Sequence, residues 1–145
     1  MAASIQLVFD TADPDRQAHF WAEALGYQLQ PPPEGFESWE AFLRSQGIAD
    51  ERWNEASAIT DPEGKGPRIF FQKVPEGKTA KNRLHLDINA SGGRGVALAD
   101  CKPRVDAEVR RLKSLGATDQ RGAIEKDGEY WVRMNDPEGN EFCVQ

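Results

Sequence analysis

The tetrapeptide Asp-Pro-Glu-Gly occurs twice in this chain, at residues 61–64 and again at 136–139. Proline presets the backbone for a bend, and glycine supplies the positive-φ position that such a turn needs. Strand-like residues follow both copies, RIFFQKV at 68–74 after the first and EFCVQ at 141–145 after the second. The repeated turn therefore predicts that the two halves of the chain share one structural plan.

The segments that precede the two turns repeat as well. Strand-like openings at 5–9 (IQLVF) and 84–88 (LHLDI) align Gln6 with His85. A helix is predicted after each opening. The first has Asp13 as N-cap, Pro14 at its first position and Gly26 at its end, and the second begins near Pro103 and stops at Gly116. Their apolar stripes are Ala18, Trp21 and Leu25 in the first helix, and Val105, Val109, Leu112 and Leu115 in the second.

The first half is longer than the second between its helix and its turn. Within this insert, the segment 38–46 carries Trp39, Phe42 and Leu43 at helical spacing and is followed by Gly47. The spacing predicts a short amphipathic helix. Its tryptophan forms either a lid over a binding cleft or a hydrophobic seam against its own module or a second subunit.

Two copies of strand, helix and three strands predict an α+β domain built from tandem βαβββ modules. A length of 145 residues is that of one ordinary domain, so we expect a single domain over 1–145. Its first module spans about 4–75 and its second about 82–145. One helix covers one face of each sheet, and the remaining faces can lie opposite each other and enclose a central cleft.

Charge and composition exclude several partners. With 18 Lys and Arg against 24 Asp and Glu, the net charge of −6 disfavours nucleic acid. No stretch approaches the roughly 20 apolar residues of a membrane span, so no membrane association is expected. The opening MAASIQLVFD does not resemble a secretory signal, and two cysteines are too few for a disulfide framework. These features predict a cytoplasmic protein.

Several segments together resemble the vicinal oxygen chelate superfamily, which contains glyoxalase I, extradiol dioxygenases and the bleomycin-binding resistance proteins. They are DPDRQAHFWAEALGY at 13–27, LHLDI at 84–88, RLKSLGA at 111–117 and DPEGNEFCVQ at 136–145. The chain is most similar to the glyoxalase-like branch. The resemblance implies a half-open barrel formed by the paired modules, with the site inside, and a homodimer.

Strand alternation predicts which side chains face the cleft. Ile5, Leu7 and Phe9, and likewise Leu84, Leu86 and Ile88, are expected to pack under the helices. The predicted ligand-binding residues are Gln6, Val8, Trp39, Phe70, Gln72, Asp87 and Cys143.

The resemblance also implies one divalent ion held by four equivalent inward positions. Gln6 and His85 stand at two of them, a third falls on Cys143, and the fourth falls on Phe70, which cannot ligate. Glu141, two residues before Cys143, is the alternative ligand. The candidate ligands are therefore Gln6, His85, Cys143 and Glu141, for Zn²⁺, Ni²⁺, Mn²⁺ or Fe²⁺. The set is incomplete.

Two functions stay open at this point. In the first, the protein binds an aromatic or apolar metabolite or drug in the cleft without a cofactor. In the second, it is a metal-dependent lyase, isomerase or dioxygenase acting on a substrate with vicinal oxygens, with Glu141 and His85 as catalytic candidates. Simpler roles stand beside these. His85 can act as a hydrogen-bonding pocket residue, Cys143 as a buried apolar side chain, and the basic run 73–83 as a solvated loop.

Overall fold

The computed structural model describes all 145 residues and divides into two compact units, Met1–Gly77 and Lys78–Gln145. Each unit contains one four-stranded sheet and at least one helix that packs on it. The α+β prediction is confirmed.

The first unit begins with a strand and a helix and adds three more strands. In chain order its elements are β1 (Gln6–Thr11), α1 (Pro14–Leu25), β2 (Gln28–Leu29), α2 (Trp39–Ser45), a 3₁₀ helix (Asp50–Glu55), β3 (Ala56–Thr60) and β4 (Arg68–Lys73). The sheet order is β1-β4-β3-β2, with β1 parallel to β4 and the other pairs antiparallel.

The second unit repeats this plan without the insert. Its elements are β5 (Asp87–Ile88), α3 (Leu98–Leu115), β6 (Thr118–Lys126), β7 (Glu129–Asn135) and β8 (Glu141–Val144). The order β5-β8-β7-β6 again places the first strand parallel to the last. The predicted tandem βαβββ modules are therefore present.

Helix α1 has the predicted ends. The side chain of Asp13 accepts a hydrogen bond from the Arg16 amide at 3.2 Å, which satisfies a free N–H of the first turn. Gly26 closes the helix in the left-handed conformation, with φ of 69°. Ala18 and Trp21 are buried beneath it, and Leu25 is half-buried.

Helix α3 begins at Leu98, so the predicted start near Pro103 is wrong. Its N-cap residue, Ala97, makes no side-chain capping bond, and the sequence therefore carries no start signal there. Pro103 lies on the exposed side of the helix. The additional turn brings Cys101 into the core, one turn ahead of the buried Val105.

The predicted strand openings are longer than the observed strands. Ile5 and Leu84, expected under the helices, are each 68% exposed. Strand β1 starts only at Gln6, and the first ladder bond between β5 and β8 runs from the Cys143 amide to the Leu86 carbonyl at 3.0 Å. Leu84 precedes that bond, so no pleat directs it inward.

The two Asp-Pro-Glu-Gly turns have the same geometry. Gly64 and Gly139 have positive φ, and each donates its amide to the carbonyl of the turn's aspartate, Asp61 or Asp136. Each aspartate side chain also accepts backbone amides of its own turn. Asp136 is buried, and Asp61 is half-buried.

The insert helix α2 is present as predicted. Ser38 caps it by accepting a hydrogen bond from the Ala41 amide at 3.1 Å, and Gly47 follows with φ of 71°. No residue of this helix is fully buried. The 3₁₀ helix after it was not predicted.

Each sheet buries one face under its helix and leaves the other open. The most deeply buried residues on the covered faces are Ile59, Ile69 and Phe71 in the first unit, and Val132, Met134, Phe142 and Val144 in the second. Alternation directs the predicted site residues of the strands to the open faces. None of the helices has the length and apolarity that crossing a membrane requires.

Candidate functional site

The open face of the first sheet carries four of the predicted ligand-binding residues. In the parallel register of β1 and β4, Val8 lies opposite Phe70. Gln6 and Gln72 lie on the same face, one pleat to either side of this pair. Val8 remains 50% exposed, whereas Phe70 is half-buried.

A guanidinium group occupies the end of this face near Gln6. Arg68 donates from Nη1 to Gln6 Oε1 and from Nε to Gln30 Oε1, both at 2.6 Å. Its guanidinium carbon lies 5.3 Å from the centroid of the Phe70 ring, a cation–π contact. Two amide oxygens and an aromatic ring therefore hold this arginine in place.

Sequence reasoning missed both Arg68 and Gln30. Arg68 precedes Phe70 by two residues, so strand alternation alone could have placed it on the same face. Gln30 lies beyond β2, where its amide donates to the Ala58 carbonyl, and no sequence signal marked it.

At the other end of the face, Gln72 donates from Nε2 to Asp10 Oδ1 at 2.7 Å. Its amide nitrogen is thus engaged with a carboxylate on the neighbouring strand. Gln6 and Gln72, which the sequence offers as equivalent polar residues, have opposite roles, since one accepts from a cation and the other donates to an anion.

Trp39 joins the insert to the same sheet. Its indole Nε1 donates to the Gln30 carbonyl at 2.7 Å, and its ring meets Phe42 edge to face, with centroids 5.8 Å apart. Phe42 packs in turn on Phe36. These contacts favour the seam between the insert and its own module over a free lid.

The open face of the second sheet gathers His85, Asp87 and Cys143. His85 Nδ1 lies 3.1 Å from Asp87 Oδ1, and Asp87 is the register partner of Cys143. One ligand atom from each of the three lies within 4.8 Å of the others. Imidazole, carboxylate and thiolate are a donor set that suits Zn²⁺, and their number leaves coordination positions open.

The pKa of the Cys143 thiol lies above its ordinary value. Burial raises its pKa, and the negative charge of Asp87 raises it further, while Arg133 acts in the opposite direction. Cys143 is half-buried rather than fully buried, which corrects the interpretation of it as an ordinary core side chain. Sequence analysis treated Asp87 as a ligand-binding residue and not as a candidate metal ligand.

Glu141 shares this face of β8 but has other partners. Its Oε1 lies 3.1 Å from Lys78 Nζ, and its Oε2 accepts the Asn82 amide at 3.0 Å. Burial acts to raise the pKa of Glu141, but the Asn82 and Lys78 contacts outweigh it and the pKa lies below its ordinary value. Both carboxylate oxygens therefore already have a partner, so a metal ion or a proton at Glu141 would compete with Lys78 and Asn82.

The Glu141 contacts also correct one interpretation of the basic run 73–83. The side chain of Lys78 is only 20% exposed and pairs with Glu141, so this side chain of the run is not simply solvated. His19, the second histidine of the chain, is an exposed residue of α1 outside the site and contacts Asp15 in the preceding turn.

The predicted site residues therefore form two groups, one on the open face of each sheet. That both faces line one cleft, and that Gln6 and His85 hold one ion between them, stay predictions.

The whole segment 6–145 matches the sequence model of the glyoxalase-like domain. The chain belongs to that family. No curated protein matches this glyoxalase-like chain.

Several solved structures share the fold of this glyoxalase-like chain. An enzyme of the glyoxalase/bleomycin resistance protein/dioxygenase family from Burkholderia phytofirmans is 15% identical, with a TM-score of 0.61 over 96% of this chain and 94% of that one. TioX from Micromonospora is 14% identical, with a TM-score of 0.53 over 99% and 97%.

A third similar structure is that of the fosfomycin resistance protein FosX from Listeria monocytogenes, a mutant complexed with Mn(II) and 1S,2S-dihydroxypropylphosphonic acid. It is 12% identical, with a TM-score of 0.61 over 100% of this chain and 90% of FosX. At such identities the likeness shows the fold alone, and the family assignment rests on the match of residues 6–145 to the glyoxalase-like domain.

Proposed function

We propose that this glyoxalase-like protein binds a small organic molecule with an aromatic or apolar portion on the open face of its first sheet. The observation that carries the proposal is the exposure of Val8 beside Phe70, on a sheet whose other face packs against α1. A ligand that covers this pair removes apolar surface from water, which is the main source of affinity in small-molecule sites.

The contribution of Val8 to the free energy of ligand binding is moderate. Full burial of a valine side chain contributes at least about 1.5 kcal/mol, so covering the exposed half contributes roughly 0.8 kcal/mol. Phe70 adds to this with its accessible part. Polar groups around the pair must then provide the orientation and the remaining affinity.

Binding can be measured by protein NMR with a panel of small aromatic compounds. Amide shifts that cluster on β1 and β4, and weaker binding to a Val8→Asp variant, are expected. The matched control is Ile5→Asp, which introduces the same charge at a more exposed apolar residue outside the strand. Equal affinities of the two variants, or shifts confined to other parts of the chain, would contradict the proposal.

A second candidate function is metal-dependent chemistry, and the cluster of His85, Asp87 and Cys143 favours it. A divalent ion bound there supplies Lewis acidity toward substrate oxygens. In this arrangement the chain's own residues provide the imidazole, the carboxylate and the thiolate, and Glu141 stays with Lys78 as a structural group. A lyase, isomerase or dioxygenase activity depends on this second candidate.

Cobalt is the direct probe of that cluster, because thiolate ligation gives Co²⁺ a sulfur-to-metal charge-transfer absorption. The band is expected in the parent protein, absent in Cys143→Ser and retained in Cys101→Ser. Cys101 is the other free thiol and lies in the core under α3. A parent protein that gives no such band excludes the cluster as a thiolate metal site.

A homodimer and a cytoplasmic location are further proposals. The family resemblance supports the first, and the two free thiols support the second. Sedimentation equilibrium at several protein concentrations tests the dimer, and fractionation of the source cells tests the location.

A further inference from the structure

Arg68 differs from Arg52 and Arg111 in the kind of partner it has, and like Arg104, which donates to the Ser91 carbonyl, it has only neutral partners. Arg52 and Arg111 each donate to a glutamate three residues away. Arg68 donates only to the amide oxygens of Gln6 and Gln30, and it has no ion pair. Its full positive charge therefore lies uncompensated on the open sheet face.

The guanidinium also keeps free hydrogen-bond donors. An arginine side chain has five N–H donors in a planar fork, and here Nε and one N–H of Nη1 are engaged. The Nη2 group has no partner. Since Arg68 is half-buried, is bonded to two amide oxygens and has its guanidinium carbon 5.3 Å from the Phe70 ring centroid, the free edge is restricted in its direction.

Neutral partners orient a cation without neutralising it, an arrangement suited to recognition of an anion. A planar carboxylate matches the arginine fork and can accept two parallel hydrogen bonds from it. Val8 lies beside Phe70, one pleat away from Arg68, so an apolar group attached to that carboxylate would contact the exposed valine.

We propose that Arg68 binds the carboxylate of the small molecule, which makes the ligand an aromatic or apolar carboxylic acid. This inference rests on the proposed binding function and narrows its ligand class. Gln6 and Gln30 are positioning residues, because each acts through Arg68.

The same contacts change the role of Gln6. Its Oε1, the atom that would ligate a metal, lies 2.6 Å from the guanidinium nitrogen. A divalent cation on that oxygen would be repelled by Arg68 at short range. Gln6 therefore serves the anion site rather than a metal site.

Benzoate and benzamide are the probes, since they have nearly the same shape and differ in charge. Titrations at constant ionic strength are followed by protein NMR, including the Nε–H signal of Arg68. Benzoate is expected to bind about 10-fold to 100-fold more tightly than benzamide, the range of a charge-assisted hydrogen bond, and to shift that signal.

Two variants test whether the preference for benzoate depends on Arg68 itself or only on the loss of one positive charge. Arg68→Gln is expected to abolish the preference for benzoate. Arg44→Gln is expected to keep it, because Arg44 lies over the Trp53 ring, at 5.2 Å from its centroid, on an exposed helix outside the sheet face.

The outcomes distinguish the carboxylate assignment from the more general proposal that this face binds a small molecule. Equal binding of the two probes on β1 and β4, or a benzoate preference that survives in Arg68→Gln, overturns the carboxylate assignment and leaves the binding function standing. Absence of binding by both probes, together with a silent response to the wider aromatic panel, overturns both.

Discussion

Replacing Glu141 by glutamine tests whether this carboxylate is part of the scaffold or of the chemistry. The substitution keeps the size of the side chain and one oxygen that can accept from Asn82, but it removes the charge that pairs with Lys78. If the pair is structural, the variant must lose stability.

The magnitude follows from the burial of the pair. Exposed ion pairs contribute about 0–1 kcal/mol, whereas breaking a fully buried pair costs about 3–5 kcal/mol. With side chains 12% and 20% exposed, Glu141 and Lys78 lie between these limits. We expect a loss of about 2 kcal/mol in the free energy of unfolding.

Urea denaturation at neutral pH measures this loss. The matched control is Glu63→Gln, because Glu63 pairs with Lys65 while both side chains are largely exposed, at 67% and 80%. The control is expected to lose less than about 0.5 kcal/mol. Equal losses in the two variants would refute the argument, since burial would then have no effect on the value of the pair.

The same pair predicts a dependence on pH. Because the pKa of Glu141 lies below its ordinary value of 4.5 in the folded protein, its contribution is present above that value. The contribution disappears as the pH falls through the lower, folded-state pKa. The difference in stability between the parent protein and Glu141→Gln should therefore shrink on acidification below about pH 4.5.

Three further outcomes are expected. Asp136→Ala should destabilise the protein by about 2 kcal/mol in urea denaturation, and Asp61→Ala should destabilise it less, because removal of the buried Asp136 side chain leaves part-buried amides of its turn without an acceptor. Tyr130 donates to Asp106, which with burial raises the pKa of the phenol to about 12, so Asp106→Asn should return it toward 10.0 in an NMR titration of labelled tyrosine. Phe142→Ala should cost about 3–5 kcal/mol of unfolding free energy, since its ring is almost fully buried between β8 and α3. A loss below about 1 kcal/mol would contradict that packing.

The fold was predictable because its signals are local and occur twice. Proline and glycine punctuate both halves, and Asp13, Ser38 and Gly26 mark helix ends through bonds within their own turns. The start of α3 was not predictable, because Ala97 carries no capping group. The exposure of Leu84 was also not predictable from the sequence, since its environment depends on where pairing with β8 begins.

The candidate site was likewise predictable only in part from the sequence. Alternation along a strand directs Val8 and Phe70 to one face, and Asp87 and Cys143 to another, while His85 precedes β5 and contacts Asp87. It does not reveal which partner each polar side chain has. The bond from Arg68 to Gln6 joins residues that are 62 positions apart, and the pair of Lys78 with Glu141 joins residues 63 positions apart.

By itself, the sequence determined the duplicated α+β plan, the turns and the face on which each strand residue lies. These properties depend on the preferences of a few neighbouring residues and on the two-residue period of a strand. The tertiary structure alone decided that Gln6 orients an arginine, that Glu141 pairs with a lysine and that Asp87 joins His85 and Cys143. Hydrogen bonds and ion pairs depend on distances of a few ångströms between strands, and the linear order of residues does not contain those distances.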